Sequence, residues 1–192
     1  MTRRNALIVV PAALWLVPLA CEAGGVGDPC LPEDEYRADF SGFSDTEAEV
    51  ETASFQCKTR VCIVNFFQGR TSCPYGQTAD DIERGPSAYR CYVPGTTDEL
   101  ITVPVQPQLT GRRPDQTVYC SCRCQNAEGR TDDGARYCAC PSGYECAKLF
   151  DAVSSIKKNV SGYYCIKQGT KYDPNRLGSP CSRQNGDCEQ GG

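Results

Sequence analysis

Six cysteines between Tyr119 and Cys146 are the residues of this chain whose type and spacing suit chemistry. They are Cys120, Cys122, Cys124, Cys138, Cys140 and Cys146. Alternate residues of a strand face the same way, so the first three would project from one side of a strand and the next two from a second. Thiolates at Cys-x-Cys spacing can bind soft metals or an iron–sulfur cluster, whereas in an oxidising compartment they form disulfides. The compartment therefore decides between the two chemistries.

The start of the chain predicts export. Arg3 and Arg4 precede an uncharged apolar run from Ala6 to Leu19. This run matches the apolar region of a secretory signal peptide, about 7–15 residues, and is shorter than the roughly 20 residues of a membrane span. We predict that residues 1–20 are a signal peptide, and an oxidising destination favours disulfides over a thiolate metal site.

Pro18-Leu19-Ala20-Cys21 resembles the lipobox of bacterial lipoproteins, in which a cysteine after a small residue is acylated and becomes the mature N-terminus. The resemblance implies a cysteine-rich extracytoplasmic lipoprotein of a Gram-negative type bacterium, anchored through Cys21. The count agrees, because removing Cys21 from fifteen cysteines leaves an even fourteen. The alternative is an ordinary cleavage site, with Cys21 as a disulfide cysteine and a secreted, soluble product.

Missing residues restrict the possible functions. The chain has no histidine, so Ser-His-Asp and Cys-His catalytic arrangements are excluded. It also has no Cys-x-x-Cys, which excludes thioredoxin-like redox motifs and ordinary zinc ribbons. We expect no enzymatic activity, no cofactor and no metal. A thiolate metal-binding protein and a carboxylate-dependent hydrolase are kept as alternatives.

The charge of the chain argues against nucleic acid as a partner. Loss of Arg3 and Arg4 with the signal peptide takes the formal charge from −4 to −6, and an acidic protein lacks the basic surface that binds phosphates. We expect membrane contact through the lipid anchor and an unknown protein or envelope partner. The acidic group Glu33, Asp34, Glu35 and Asp39 is interpreted as a solvated face rather than a calcium loop.

The apolar content is too low for an ordinary core. From Glu22 onward, Leu, Ile, Val and Phe make up 26 of 171 residues, below the roughly 20% under which a chain struggles to bury enough apolar surface to fold. Disulfides can supply the missing stability, at about 2–4 kcal/mol each. The candidates are Cys30, Cys57, Cys62, Cys73, Cys91, Cys120, Cys122, Cys124, Cys138, Cys140, Cys146, Cys165, Cys181 and Cys188.

The predicted fold is small, disulfide-rich and mainly β, with short helices, two disulfide-stapled regions and irregular loops. Its divisions are a signal peptide (1–20), a lipid-proximal flexible tether (21–29), an N-terminal cysteine-containing β region (30–106), a linker (107–118), a cysteine-rich β-hairpin region (119–168) and a loose tail (169–192). Five of the fourteen cysteines precede the linker and nine follow it. Since both counts are odd, complete pairing requires at least one disulfide between the two regions.

Hydrophobic patterning places the secondary structure. Alternating or β-branched segments predict strands, and apolar residues at helical spacing predict a helix. The strands are expected at Val61 to Phe67, Tyr119 to Cys124, Tyr137 to Cys140 and Gly162 to Ile166, with an edge strand at Leu100 to Gln106. The helix is expected at Ala147 to Lys158.

Residues 138–146, beginning Cys-Ala-Cys-Pro-Ser-Gly-Tyr, resemble the closing segment of an EGF-like module. The resemblance implies a Cys140–Cys146 bond and makes a secreted, EGF-like or inhibitor-like interaction module an alternative. Our principal expectation is a structural or binding role at the cell envelope, at the outer membrane on its periplasmic face or at the cell surface. The polar loop from Gln125 to Arg136 is the first candidate for recognition.

Overall fold

The computed structural model describes residues 23–149 and 160–188. The predicted signal peptide, Cys21 and most of the predicted helix at Ala147 to Lys158 lie outside these residues. The strands are β1 (Ala48–Glu51), β2 (Val61–Asn65), β3 (Val118–Ser121), β4 (Arg123–Gln125), β5 (Tyr144–Lys148) and β6 (Tyr163–Lys167), and the α-helices are α1 (Ala79–Glu83) and α2 (Pro114–Thr117). Single 3-10 turns cover Glu33–Tyr36, Ser87–Tyr89 and Pro174–Arg176. The predicted mainly β, disulfide-rich fold with short helices is confirmed.

The strands form two antiparallel sheets, ordered β1-β2-β3 and β4-β6-β5. Ile63 of β2 lies opposite Tyr119 of β3, and Cys165 of β6 lies opposite Cys146 of β5. The chain passes from the first sheet to the second at Cys122, between β3 and β4. The predicted strand at Tyr119 to Cys124 is therefore two strands that belong to different sheets.

One apolar cluster joins the two sheets. Ile63 and Tyr119 from the first sheet pack with Tyr164 and Ile166 from the second, and all four are at most 2% exposed. Burial of this kind stabilises by about 25 cal/mol per Å² of apolar surface removed from water. The two predicted regions thus share a core, because β3 belongs by sequence to the second region and pairs with β2 of the first.

All fourteen candidate cysteines form disulfides. Seven disulfides are typical of a protein that folds in an oxidising, extracytoplasmic environment. The single crosslink between residues 30–106 and 119–168 is Cys57–Cys120, in agreement with the parity of the cysteine counts. The other bonds are Cys30–Cys62, Cys73–Cys91, Cys122–Cys138, Cys124–Cys146, Cys140–Cys165 and Cys181–Cys188.

Two strand predictions are wrong and two are confirmed. β2 and β6 form where β-branched and aromatic residues predict them. Tyr137 to Cys140 is not a strand, and its Cys138 and Cys140 are bonded to Cys122 and Cys165. Leu100 to Gln106 forms only isolated bridges, at Leu100 and Val105. Ala147 and Lys148, assigned to a helix, are the end of β5.

The predicted linker and the predicted loose tail pair with each other. The N–H groups of Thr110 and Gly111 donate to the carbonyls of Ser179 and Leu177, at 2.9 and 3.0 Å. A β-carbon on Gly111 would lie 2.4 Å from the carbonyl oxygen of Arg176, so only glycine allows this approach. The middle of the predicted linker is accordingly paired with residues 177–181 of the predicted loose tail.

The predicted flexible tether is wrong for residues 24–29. The Gly24 N–H donates to the Gln56 carbonyl at 2.7 Å, and the Gly27 N–H donates to the Cys120 carbonyl at the same distance. Gly27 has φ +97°, and a β-carbon there would overlap the Tyr144 hydroxyl. The glycine-rich composition predicted flexibility, but these glycines are instead positions where the backbone packs closely against its neighbours. No helix among the described residues has the length and apolar content to span a bilayer.

Two arginines lie inside the fold. Arg112, in the segment predicted to be a linker, is 4% exposed and donates to the carbonyls of Asn65, Phe66 and Thr170. Burial lowers the pKa of Arg112. Arg70 is fully buried and donates to the carbonyls of Glu35, Arg37 and Phe40. These guanidinium groups tie loops of the first half to the tail and to each other.

Removal of the Cys57–Cys120 bond should destabilise the protein more than removal of Cys181–Cys188. The two bonds close 63 and 7 residues, for which loop entropy predicts losses of about 4 and about 2 kcal/mol in the free energy of unfolding. Chemical denaturation of the paired serine variants Cys57→Ser with Cys120→Ser and Cys181→Ser with Cys188→Ser would measure both. Equal losses would show that Cys57–Cys120 does not hold the two regions together.

Candidate functional site

The six central cysteines are all bonded in disulfides. Three groups of cysteine Sγ atoms lie within 4.8 Å of one another, and they are Cys30, Cys57 and Cys120; Cys122, Cys138 and Cys165; and Cys124, Cys140 and Cys146. Every one of these sulfurs belongs to a disulfide, and a disulfide sulfur is not the thiolate that a soft metal requires. The clusters are places where disulfides pack side by side.

The bond implied by the EGF-like resemblance does not form. Cys140 is bonded to Cys165 and Cys146 is bonded to Cys124. β5 pairs with β6, so Cys146 lies opposite Cys165. Cys140, which precedes β5, bonds to Cys165 instead of Cys146. The Cys140–Cys146 pairing is therefore wrong.

The loop from Gln125 to Arg136 is ordered by one buried amide. Asn126 is 4% exposed, and its Oδ1 accepts from the N–H groups of Glu128 and Arg130 at 3.1 and 2.7 Å. Its Nδ2 donates to Asp133 Oδ2 at 3.1 Å, and the Tyr137 hydroxyl donates to the same oxygen at 2.7 Å. The candidate recognition loop thus has a fixed shape around Asn126 while most of its side chains face solvent.

Hydrogen bonding sets the charge state of this loop. Donation by the Tyr137 hydroxyl, followed by that of Asn126, lowers the pKa of Asp133 to about 2. The same bond raises the pKa of the Tyr137 hydroxyl, because its proton is held by a carboxylate. Asp133 therefore stays charged throughout the neutral and mildly acidic range.

A groove of about 550 Å³ lies beside β3, in a part of the fold that no motif indicated. Its lining comes from distant segments and includes Leu31, Gln56, Val118, Tyr119 and Lys167. The Lys167 ammonium donates to the Asp115 carbonyl and lies 5.4 Å from the centroid of the Tyr119 ring. A volume of 300–1,000 Å³ is typical of ligand-binding clefts.

Tyr119, which lines the groove, is held in place by burial and by a hydrogen bond. It is 1% exposed, and burial raises the pKa of its hydroxyl to about 12. That hydroxyl accepts from the backbone N–H of Lys167 at 2.8 Å, which joins β3 to β6. The sequence carried no signal for this groove, because its residues come from five separate stretches and none of them has a recognisable spacing.

The acidic residues near the N-terminus divide between surface and interior. Glu35, interpreted as part of a solvated face, is fully buried and accepts from the N–H groups of Thr71 and Ser72 at 2.6 and 3.0 Å. Its burial is possible because Arg70 lies beside it. Glu51 lines a separate cavity with Glu33, and burial, followed by the neighbouring Glu33 carboxylate, raises the pKa of Glu51. This cavity is where the carboxylate alternative would have to be sought.

The hydrogen bonds of Asp133 should be present above its usual pKa of 3.8 and lost as the pH falls through about 2. The direction follows because the folded pKa is the lower one, so protonation occurs first in the unfolded chain. Carbon-detected NMR titration of the Asp133 carboxyl measures this directly. Asn126→Ala should move the midpoint upward, whereas Asp132→Asn, beside it on the exposed side, should leave it unchanged. A midpoint near 3.8 in the unaltered protein would contradict the network.

Comparison with known proteins finds no relative. No family model, no curated protein and no solved structure matches this chain. Any assignment of function therefore depends on the chain's own residues, above all on the complete pairing of the fourteen cysteines, the groove beside Tyr119 and the ordered loop around Asn126.

Proposed function

We propose that this chain is a lipid-anchored extracytoplasmic protein with a non-catalytic binding role at the cell envelope. The observation that supports the anchor is the pairing of the cysteines. The seven disulfides use all fourteen cysteines that follow Cys21, so none is left in the chain to pair with it. An unpaired thiol is unfavourable in an oxidising compartment. Acylation of Cys21 at the lipobox-like sequence would consume this thiol.

Binding is favoured over catalysis by the side chains that are present. The chain has no histidine, and its fourteen bonded cysteines cannot act as nucleophiles. What the fold offers instead is a rigid surface, in which loops are fixed by disulfides and by buried amides such as Asn126. Rigid loops lose little conformational entropy on binding, which is the property of a recognition scaffold.

The groove beside β3 is the proposed binding site. Leu31 and Val118 are apolar members of its lining, and Lys167 adds one positive charge. Asp115 also lines the groove, but its carboxylate is paired with Arg113 at 3.1 Å, so Lys167 favours a ligand with an apolar body and one acidic group. On an anchored protein, such a ligand would be part of an envelope protein or a small envelope molecule.

The anchor is tested by metabolic labelling with a fatty-acid analogue. The unaltered protein should incorporate the label and Cys21→Ser should lose all of it, because the thiol is the acceptor. A matched control is the pair Cys181→Ser with Cys188→Ser, which removes two thiols but keeps Cys21 and should label fully. Persistence of the label in Cys21→Ser would refute the anchor.

The groove is tested by photo-crosslinking in the native envelope. A benzophenone side chain in place of Leu31 should give a defined adduct, and Lys167→Glu should reduce its yield about tenfold by reversing the charge that this residue adds. The same side chain in place of Glu145, exposed on β5, is the control and should give no adduct of that mass. Equal adducts from both positions would argue against a specific groove.

A further inference from the structure

The first described residues are fixed to one particular turn of the protein. The Gly24 N–H donates to the Gln56 carbonyl at 2.7 Å, and the Lys58 N–H donates to the Gly24 carbonyl at 2.9 Å. Between these two positions, Cys57 is bonded to Cys120 of β3. The entry point of the chain and the turn around residue 57 are therefore parts of one crosslinked unit.

The chain leaves little slack between Cys21 and this turn. Three residue steps separate Cys21 from Gly24, and a fully extended chain covers no more than about 11 Å over that length. The backbone at Gly24 is closely packed, because a β-carbon there would lie 2.8 Å from the Asp28 β-carbon. A lipid on Cys21 would thus bring the turn around residue 57 to the level of the headgroups.

That turn exposes the least covered large apolar side chain among the described residues. Phe55 is 83% exposed, against 48% for Tyr36 and 44% for Tyr89. The guanidinium carbon of Arg60 lies 4.0 Å from the centroid of the Phe55 ring. Arg60 has φ +65°, a conformation that L-residues adopt rarely. The turn is closed by the Arg60 N–H, which donates to the Cys57 carbonyl at 2.9 Å.

We propose that residues 52–60 form a membrane-docking surface, in which Phe55 enters the boundary between headgroups and acyl chains of the bilayer that holds the Cys21 lipid. The inference rests on the proposed lipid anchor. An apolar side chain a few residues from an acylated cysteine is brought to that boundary by the anchor itself, so its insertion costs little further ordering. The lipid and Phe55 then hold the protein at two points.

The charges around Phe55 are compatible with a bilayer surface. Lys58, Thr59 and Arg60 are exposed on the same turn, and a basic residue near an anionic bilayer strengthens attraction by about fivefold. Asp28, exposed nearby, opposes them. With the basic and acidic contributions partly cancelling, the apolar ring is the principal contact, and docking should depend more on Phe55 than on the content of anionic lipid.

Docking through Phe55 would also orient the groove relative to the bilayer. Gln56 follows Phe55 directly and lines the groove, where its amide donates to the Leu31 carbonyl at 2.8 Å and accepts from the Leu31 N–H at 2.9 Å. With Phe55 in the headgroup region, Gln56 and its hydrogen-bonded partner Leu31 would be the lining residues next to the docked turn. The proposed ligand would then enter from the lipid side with its apolar part.

The absence of tryptophan after Trp15 allows a direct test. The chain from Cys21, with that thiol coupled to a maleimide phospholipid, is placed on vesicles of phosphatidylethanolamine and phosphatidylglycerol. Phe55→Trp should shift its emission to the blue and lose more than about half of its intensity to brominated acyl chains, as expected for a ring about 5–10 Å below the surface. Tyr89→Trp, whose ring contacts Arg183, is the matched control and should show neither effect.

Each outcome decides the matter. Unshifted and unquenched emission from Phe55→Trp on vesicle-bound protein would overturn docking while leaving the anchor intact. A blue shift without quenching by brominated lipid would indicate contact between protein molecules and would also overturn it. Because the lipid is attached chemically, these results do not depend on whether the cell acylates Cys21, which the metabolic labelling decides separately.

Discussion

The structure depends on satisfying the polar groups of buried, irregular backbone. Most of the chain outside the two small sheets is loop, and a buried carbonyl or N–H without a partner costs about 1–3 kcal/mol. Long polar side chains supply the partners from inside. Gln77 Nε2 donates to the carbonyls of Ile101 and Val103 at 2.9 and 2.8 Å, and its Oε1 accepts from the Cys91 N–H at 2.8 Å. Gln108, Arg70 and Arg112 do the same for neighbouring loops.

The two parts of the fold are stabilised differently, one mainly by disulfides and the other mainly by buried polar side chains. In residues 119–168, three disulfides hold short strands around a shared core. In residues 30–106, whole loops are arranged around Arg70 and Gln77, and the two internal bonds are Cys30–Cys62 and Cys73–Cys91. The groove and the docking turn both lie where these arrangements meet, next to Cys57–Cys120. A surface at such a junction has little freedom to rearrange.

The odd numbers of cysteines in the two regions predicted a disulfide between them, and the composition predicted a disulfide-rich, mainly β fold. Segments rich in β-branched and aromatic residues located β2 and β6. The failures share a cause, which is that local composition does not report long-range contact. Gly24 and Gly27 looked like a tether because glycine favours disorder, yet the same missing side chain permits close packing against residues 56 and 144. Arg112 lies in a segment predicted to be a linker, yet its side chain is buried and its three carbonyl partners come from residues 65, 66 and 170. Tyr119 and Lys167 meet at the groove only after the sheets have paired.

The order of the disulfides along the chain has a consequence for how it acquires this structure. Only Cys73–Cys91 and Cys181–Cys188 join cysteines that are neighbours in sequence, and the other five bonds pass over at least one cysteine. A chain oxidised in the order of its emergence would first bond Cys30 to Cys57 and leave Cys62 without its partner. The native set then requires thiol–disulfide exchange after the last strand has arrived. If bonds form in that order, maturation depends on an isomerising thiol catalyst as well as on an oxidant.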